Sequence, residues 1–365
     1  MRAGDVGCQF RRGGLPTSLS SGVGCEMRTF SMRSEARSNI TPKQKRFLDA
    51  AARGHNRIVK ALLEAGVDVN VRDGRVCPTN RTALMHAAEN GHLRVAELLI
   101  QAGAEVNAID KGFPVDCPGG NTALLVTLHK VAEMVFTDGT AGNTAPLMAL
   151  RKRHITIAHR LLNAGASPKT RGGGTSVINC AARAGDVGLF KRLIELGADP
   201  RQADGSGFTP LAAAVQGGRL NIIKLLLDSG VDPNSKTPAN SPVLIDAAHG
   251  GDPQLCQLLL ARGADPNLAD SSGFTALMMA CVTAHKQAVE KLVTAGARLN
   301  DRDDRGRTAV DILVHAQRPP DFAPEVLQRL TKSGQNFGPS PERYREIEKM
   351  LRKLGAKASE ELLRN

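Results

Sequence analysis

The sequence predicts an all-α fold, a solenoid of stacked helix-turn-helix units with projecting β-turn or hairpin loops. The first reason is that glycine-centred apolar phrases recur with a period of about 33 residues along most of the chain. The second reason is composition: 41% of the 365 residues are apolar but only 3% are aromatic, so Ala, Leu and Val must fill the core. Such small side chains suit closely packed helices and argue against an all-β sandwich. No apolar run approaches the roughly 18 residues of a membrane span.

Residues 1–40 differ from the rest of the chain, because they are rich in Arg, Ser and Gly and show no apolar periodicity. Such a composition predicts a disordered tail. An organelle transit peptide is an alternative that the three acidic residues of the segment disfavour, and there is no apolar stretch for a secretory signal. Another alternative is that translation starts at Met27 or Met32 instead of Met1.

The array that follows, residues 41–358, carries two phrases in fixed register. One phrase, typically Gly-Ala-Asp-Pro, begins at glycines that follow one another by one full period: Gly197, Gly230, Gly263 and Gly296. At a constant distance before each of these glycines stands the residue that opens the other phrase: Ser176, Thr209, Pro242 and Thr275.

Each unit can be derived physically as two short helices and a turn. The hydroxyl of an opening residue such as Thr209 can accept an amide hydrogen bond at the start of the first helix, and Pro210 fits the first helical position. Paired small residues such as Ala181-Ala182 let neighbouring helices approach closely. A glycine nine residues after the opening, such as Gly218, ends this helix in a left-handed cap, and a second helix with an apolar face follows.

This pattern closely resembles the ankyrin repeat, and Thr209-Pro210-Leu211 is the best copy of that family's opening phrase. The resemblance covers residues 43–358 and implies about eight units. The charged segment that ends at Gly355 suits a cap on the array, and residues 359–365 are then a C-terminal tail. The predicted units open near Lys45, Thr82, Thr122 or Thr144, Ser176, Thr209, Pro242, Thr275 and Thr308.

Spacing is irregular in the third unit, because the interval from Gly103 to Gly165 is longer than one period and shorter than two. A Gly-Asn-Thr-Ala phrase occurs twice there, so Thr122 and Thr144 compete to open the unit. We favour Thr144, because its distance from Gly165 equals the distance between opening residue and glycine in the other units. Residues 122–141 would then form an inserted helical turn or hairpin beside it.

Two further insertions are expected near residues 111–120 and near residues 317–340, where several prolines occur. The first belongs to a pair of long connections in which Cys77 and Cys117 each stand five residues before an opening Thr. Two thiols without a nearby His fall short of a metal site. Similar loops produced by duplication are therefore the better explanation.

The seven cysteines are odd in number and form no Cys-x-x-Cys motif, which argues against a disulfide framework or a zinc ribbon. Scattered thiols suit a reducing compartment. We therefore expect Cys180, Cys256 and Cys281 in the core of a cytoplasmic protein, with a nuclear or secreted-effector location left open.

No motif for catalysis or cofactor binding is present, including metalloprotease helices, nucleophile elbows, phosphate loops and dinucleotide fingerprints. His55, His92 and His285 follow the ends of first helices, where imidazole can bond turn backbone, and Cys180 has no base partner visible in the sequence. The sequence predicts a non-enzymatic protein without cofactor or metal.

Positive charge is concentrated in one part of this chain, whose formal net charge is +12. Between Gly139 and Gly185 there is no acidic residue. A partner's acidic segment could dock there, but a solvated face of one sign is the simpler explanation. Nucleic acid is a weaker alternative, because stacking aromatics are absent from the stretch. We call its basic residues the basic band: Arg151, Lys152, Arg153, Arg160, Lys169, Arg171 and Arg183.

The resemblance implies a concave surface of first helices and turn tips that binds other proteins, so we predict a monomeric protein-protein adaptor. One alternative is an inhibitor or regulatory subunit whose Pro-rich insertion plugs an enzyme's site. Another is a binder of nucleic acid or an anionic ligand through the basic band. The variable position of the opening phrase contributes the contact candidates His86, Met148, Cys180, Asp246 and Met279. The turns contribute Arg72, Asp73, Asn107, Asp110, Asp204, Asn234, Lys236 and Asp303, and the basic band contributes Arg151, Lys152 and Arg153.

Overall fold

Helical hairpins repeat along the chain in a computed structural model, which describes residues 40–73, 80–110, 121–136, 145–172, 174–316 and 340–363. The side chains of residues 135–136 and 145–148 are outside that description. The segment before residue 40, the two cysteine-containing loops and the Pro-rich insertion also lie outside the described residues, so the expectations for them stay predictions.

Seventeen helices and one two-stranded sheet are found within the described residues. The first helices of successive units are α1 Pro42–Ala52, α3 Ala83–Glu89, α5 Ala123–Phe136, α7 Val177–Ala184, α9 Pro210–Gln216, α11 Val243–Gly250, α13 Ala276–Val282 and α15 Ala309–Ala316. The second helices are α2 Asn56–Glu64, α4 Leu93–Gln101, α6 Ala145–Asn163, α8 Val187–Glu195, α10 Leu220–Asp228, α12 Pro253–Ala261, α14 Lys286–Thr294 and α16 Pro341–Lys353. The short helix α17 Ser359–Leu363 follows.

The two kinds of helix form two rows. Each first helix packs against the first helices of the preceding and following units, and each second helix does the same in its own row. Within a unit the two helices also contact each other, which makes eight helix pairs in the part of the chain that the structure describes. This is the predicted all-α stack of helix-turn-helix units.

Side-chain hydroxyls start the first helices as the spacing predicts. Thr82 Oγ1 accepts a hydrogen bond from the Met85 amide at 3.3 Å, and Thr209 Oγ1 accepts one from the Ala212 amide at 3.2 Å. The first helix of unit 1 begins at Pro42, ahead of the expected Lys45, because Thr41 and Gln44 cap each other there. These caps satisfy amides that have no partner inside the helix.

Small aliphatic residues fill the space between the rows. The predicted alanine pairs are fully buried, as are leucines of the second helices such as Leu99, Leu193 and Leu259. Cys180, Cys256 and Cys281 are buried free thiols, as expected. An Ala-rich interface lets helix backbones approach closely, so the near absence of aromatic residues is compatible with a continuous core.

The third unit begins at a different residue from the one predicted. Helix α5 lies in the first-helix row between α3 and α7, and α6 lies in the second row between α4 and α8. Thr122 opens the unit, because its Oγ1 accepts a hydrogen bond from the Leu125 amide at 3.3 Å. Residues 122–136 are therefore the start of the unit and not an insertion beside one that opens at Thr144, which lies outside the described residues.

The extra length of unit 3 lies in its two helices. Helix α5 has 14 residues and α6 has 19, whereas α3 has 7 and α4 has 9. We call the added turns, residues 130–136 and 145–153, the third-unit extension. Its described side chains include the buried Val131 and Ala132, so the extension has apolar packing of its own.

The hairpin turns connect the second helix of one unit to the first helix of the next, at the end of the helices opposite the third-unit extension. Strands β1 Arg171–Gly172 and β2 Thr175–Ser176 pair antiparallel, and single bridges join Lys236 to Pro242 and Ala269 to Thr275 in later turns.

At the C-terminus, residues expected to be a tail form α17, because Ser359 N–H donates to Asp311 Oδ2 at 2.9 Å. Over the described residues, none of the helices has both the length and the apolar content to cross a membrane.

Candidate partner-binding surface

Most aspartates proposed for the hairpin tips point into their own turns. Asp204 Oδ1 accepts from the amides of Ser206 and Phe208, both at 3.0 Å, and its Oδ2 accepts from Asn179 Nδ2 at 2.7 Å. Asp73, Asp110 and Asp303 are buried in the same way. These carboxylates brace the turns and offer a partner little surface.

Two of these carboxylates also interact with an arginine, one through hydrogen bonds and the other through a longer ion pair. Asp303 accepts from Arg307 Nε and Nη2 at 2.8 and 2.6 Å, and also from the Arg305 and Arg307 amides. Burial alone would raise the pKa of Asp303, but these hydrogen bonds hold it below its ordinary value. Asp110 accepts from the Asn121 amide at 2.8 Å, and the Arg81 guanidinium lies 3.6 Å from its Oδ2.

Asn107 and Asn234 connect successive hairpin turns. Asn107 Nδ2 donates to the Gly165 carbonyl at 2.9 Å, and its Oδ1 accepts from the Ser167 amide at 2.8 Å. Asn234 makes the equivalent pair of bonds to the turn of the next unit. Because an asparagine amide can donate and accept at once, one residue fixes the distance between two units.

The two basic turn candidates differ in exposure. Arg72 Nη1 donates to the main-chain oxygens of Asn80 and Ile109 at 3.1 and 2.7 Å, so its guanidinium bridges two turns. Lys236 is exposed and its Nζ contacts Asn240 Oδ1 at 3.1 Å on the same hairpin. Of these two, Lys236 presents its charge to solvent.

The variable residues of the opening phrases form one row along the first helices. We call it the position-4 row because each residue stands four residues after the opening, which in unit 1 is counted from Lys45. Met148 belongs to α6 instead, and its side chain is not described, so Val126 takes that place in unit 3. The row runs through Asp49, His86, Val126, Cys180, Ala213, Asp246, Met279 and Ile312.

Cys180 and His86 are engaged inside the protein. The Cys180 side chain is only 2% exposed, and burial raises the pKa of its thiol to about 11, so it has almost no contact surface and no thiolate character. His86 Nε2 lies 3.3 Å from Asp73 Oδ2, which connects the first helix of unit 2 with the preceding hairpin.

Asp246 and Met279 are half-buried at the same position of units 6 and 7. Burial raises the pKa of the Asp246 carboxyl above its ordinary value, although a hydrogen bond with Gln216 and the charge of His249 lower it in part. A carboxylate kept in such surroundings is costly to ionise, which is typical of functional sites.

A second row of side chains lies one turn further along the same helices, seven residues after each opening. We call it the position-7 row, and in units 5 to 7 it consists of the exposed Gln216, His249 and Val282. Val282 is 42% exposed, which is unusual for a large apolar side chain in this array. This row was not predicted from the sequence, although a spacing of three residues from the position-4 row is a helical signal.

The basic band does not form one surface. Arg151 donates through Nη2 to the main-chain oxygen of Ala184, Arg160 Nε pairs with Glu97 at 3.1 Å, and Arg183 Nη2 donates to Gln216 Oε1 at 3.2 Å. Lys152 and Arg153 are exposed on the third-unit extension. Lys169 and Arg171 are exposed near the hairpin turn, where they line a cleft of about 300 Å³ with other residues.

Histidines at the start of the second helices, and His154 within α6, link neighbouring units. His92 Nε2 lies 3.0 Å from the Ala52 carbonyl of unit 1, and His154 Nε2 lies 2.9 Å from the Glu89 carbonyl of unit 2. His285 is hydrogen-bonded to the backbone of His249, but burial and the charges of His249 and Arg343 hold the pKa of its imidazole below the ordinary value. Within the described ranges there is no group of three or more His, Cys, Asp or Glu side chains arranged to hold a metal ion.

Comparison with known families finds the same kind of repeat over most of the array. The family model for ankyrin repeats matches the chain in three copies, over residues 39–110, 147–237 and 244–337. A search of curated proteins finds no match. The interval between the first two copies contains α5, the long first helix of unit 3, and the second copy begins inside α6.

Proposed function

The chain belongs to the ankyrin-repeat family, and from that premise we propose that it is a non-enzymatic interaction module that binds a protein partner. The binding surface is formed by the exposed and half-buried residues of the position-4 and position-7 rows, together with the exposed tips of the hairpin turns. Proteins of this family are typically binding scaffolds without catalytic activity, which supports the general role.

The observation that carries the proposal is the exposed chemistry of units 5 to 7. Helices α9, α11 and α13 pack side by side, so residues one full period apart occupy equivalent places. Apolar, amide and carboxylate groups therefore follow one another along one face, at Met279, Val282, Gln216 and Asp246. A mixture of a partly exposed apolar patch and few polar groups is suited to a protein interface.

The experiment that tests this proposal is affinity capture from the native cell extract with the full chain, with and without nuclease. Val282→Glu places a charge in the position-7 row. Leu196→Glu is the matched control, because Leu196 is 36% exposed and lies at the end of α8 in the second-helix row.

We expect wild-type protein and L196E to retain the same protein in a stoichiometric amount after nuclease, while V282E retains at least tenfold less. A carboxylate buried in an apolar contact loses its hydration without gaining a partner, which accounts for the loss. Retention that disappears with nuclease, or that V282E leaves intact, would contradict the proposal.

A further inference from the structure

We infer that the face of units 5 to 7 recognises a basic side chain of its partner, a Lys or Arg whose charged group pairs with Asp246 while its methylene stem lies along Met279 and Val282. This inference rests on the proposed function and names the chemistry of the segment that is bound.

The side chains next to Asp246 do not supply a positive charge to its carboxylate. Its neighbours in the position-4 row are Ala213 on α9 and Met279 on α13, neither of which carries a polar hydrogen on its side chain. Among the described residues no Lys, Arg or His nitrogen lies within 4.0 Å of its carboxylate. Its polar contacts are instead a hydrogen bond with Gln216 and the longer-range charge of His249.

Other partly or fully buried carboxylates of the array are neutralised from within. Arg307 holds Asp303, and the amides of Thr308 and Ser359 hold Asp311. Asp246 receives neither a cation nor a backbone amide in the described part of the chain. Since burying an unpaired carboxylate is unfavourable, a cation supplied by a partner would remove that cost.

The carboxylate of Asp246 is held in place by neighbouring side chains. Arg183 Nη2 donates to Gln216 Oε1 at 3.2 Å, which occupies the oxygen of that amide and leaves its N–H₂ group for Asp246. The relay runs from unit 4 through unit 5 to unit 6. It orients the Asp246 side chain before any partner arrives, which lowers the entropic cost of binding.

An apolar surface lies beside Asp246. Met279 is half-buried and Val282 is 42% exposed, both on α13, the neighbour of α11. Lys and Arg carry an aliphatic stem that packs on apolar surface while the charged end reaches a polar group. A flexible thioether next to a branched aliphatic side chain suits such a stem.

The net charge of the chain shows that binding of a basic side chain at Asp246 would not result from long-range electrostatic attraction. Because the chain carries a formal charge of +12, long-range electrostatics do not favour a basic partner. Binding at Asp246 must come from close contact, so we expect it to change little with moderate salt.

The test is selection of a phage-displayed random dodecapeptide library on the immobilised full chain. Wild type is compared with Asp246→Asn and with the control Asp49→Asn, which removes the exposed carboxylate at the same position of unit 1. We expect wild type and D49N to enrich peptides that contain Lys or Arg. We expect D246N to lose this enrichment and to bind a selected peptide at least tenfold more weakly by calorimetry.

Charge reversal supplies a second variant that does not depend on D246N. Asp246→Lys should select peptides that contain Asp or Glu, and circular dichroism checks that both variants fold. Basic peptides that bind wild type and D246N equally would overturn the inference, as would enrichment without basic residues or no enrichment on wild type. If such peptides still lose binding to V282E, the proposed function stands and only the Asp246 anchor fails.

Discussion

His92 of unit 2 reaches back to the carbonyl oxygen of Ala52 in unit 1, with 3.0 Å between Nε2 and that oxygen. Equivalent bonds join His154 to Glu89, at 2.9 Å, and Tyr344 Oη to the Val282 carbonyl, also at 2.9 Å. Each of them satisfies a carbonyl at the end of a first helix, where the helix itself provides no donor. The side chain of one unit thereby completes the helix of the unit before it.

Gly54→Ala should destabilise the array more than Gly66→Ala. Both glycines have positive φ, 75° and 76°, so both substitutions carry the backbone cost of the left-handed region. A Cβ at residue 54 would also lie 2.6 Å from His92 Nδ1, whereas nothing lies within 4 Å of one at residue 66. We expect G54A to cost about 1 to 3 kcal/mol in urea unfolding and G66A to cost clearly less. Equal losses would contradict the close packing of His92.

Arg151→Ala should lower stability, although the residue belongs to the basic band. Its guanidinium is half-buried and donates to the Ala184 carbonyl, which loses that donor in the variant. We expect a loss of about 1 to 3 kcal/mol in the free energy of unfolding. Lys152→Ala is the control, because Lys152 is exposed, and it should stay within about 0.5 kcal/mol of wild type. A surface role for the band is therefore better tested at Lys152 and Arg153 alone.

Asp303→Asn should reduce stability at neutral pH, and the reduction should shrink in acid. The folded pKa of Asp303 lies below its ordinary value of 3.8, so its contribution is complete above that value and disappears as pH falls through the folded pKa. Loss of the charged bonds from Arg307 should cost about 1.5 to 3 kcal/mol at pH 7. Unfolding of D303N and of the exposed control Asp304→Asn across pH 2 to 7 measures the difference. A gap that stays constant below pH 4 would disprove this account.

Asp246→Asn should preserve stability at neutral pH or raise it slightly. The folded pKa of Asp246 lies above its ordinary value of 3.8, so wild type loses stability as pH rises from that value through the folded pKa, and the amide variant does not. Thermal unfolding of both proteins from pH 3 to pH 7 should show D246N gaining on wild type over this interval. A variant much less stable than wild type at pH 7 would mean that the carboxylate is a structural group.

The helical scaffold could be predicted because its signals are local. A residue such as Thr209 caps a helix through its own neighbours, and Gly197, Gly230 and Gly263 repeat the same turn at constant spacing. The same logic failed for Thr122 and Thr144, because the extra residues of unit 3 lengthen both of its helices. The phrase that marks an opening therefore recurs just before α6, the second helix of the unit.

The side-chain roles could be predicted less well. Asp204, Asp303 and Asn234 were expected at a partner surface, and the structure engages them within and between turns. Their structural role could have been recognised from recurrence, because a residue type that returns at the same place in several units serves the scaffold. Val282 and Gln216 vary from unit to unit, but their exposure depends on how neighbouring helices pack, which spacing alone does not reveal.

The third-unit extension also affects how the array folds. In a linear stack each unit is stabilised only by its neighbours, so the unit with the largest internal interface is where ordered structure forms most readily. The long helices α5 and α6 contact each other over more of their length than the short pairs do, and Leu124, Leu128 and Val131 are fully buried there. We expect folding to nucleate in unit 3 and to spread toward both ends.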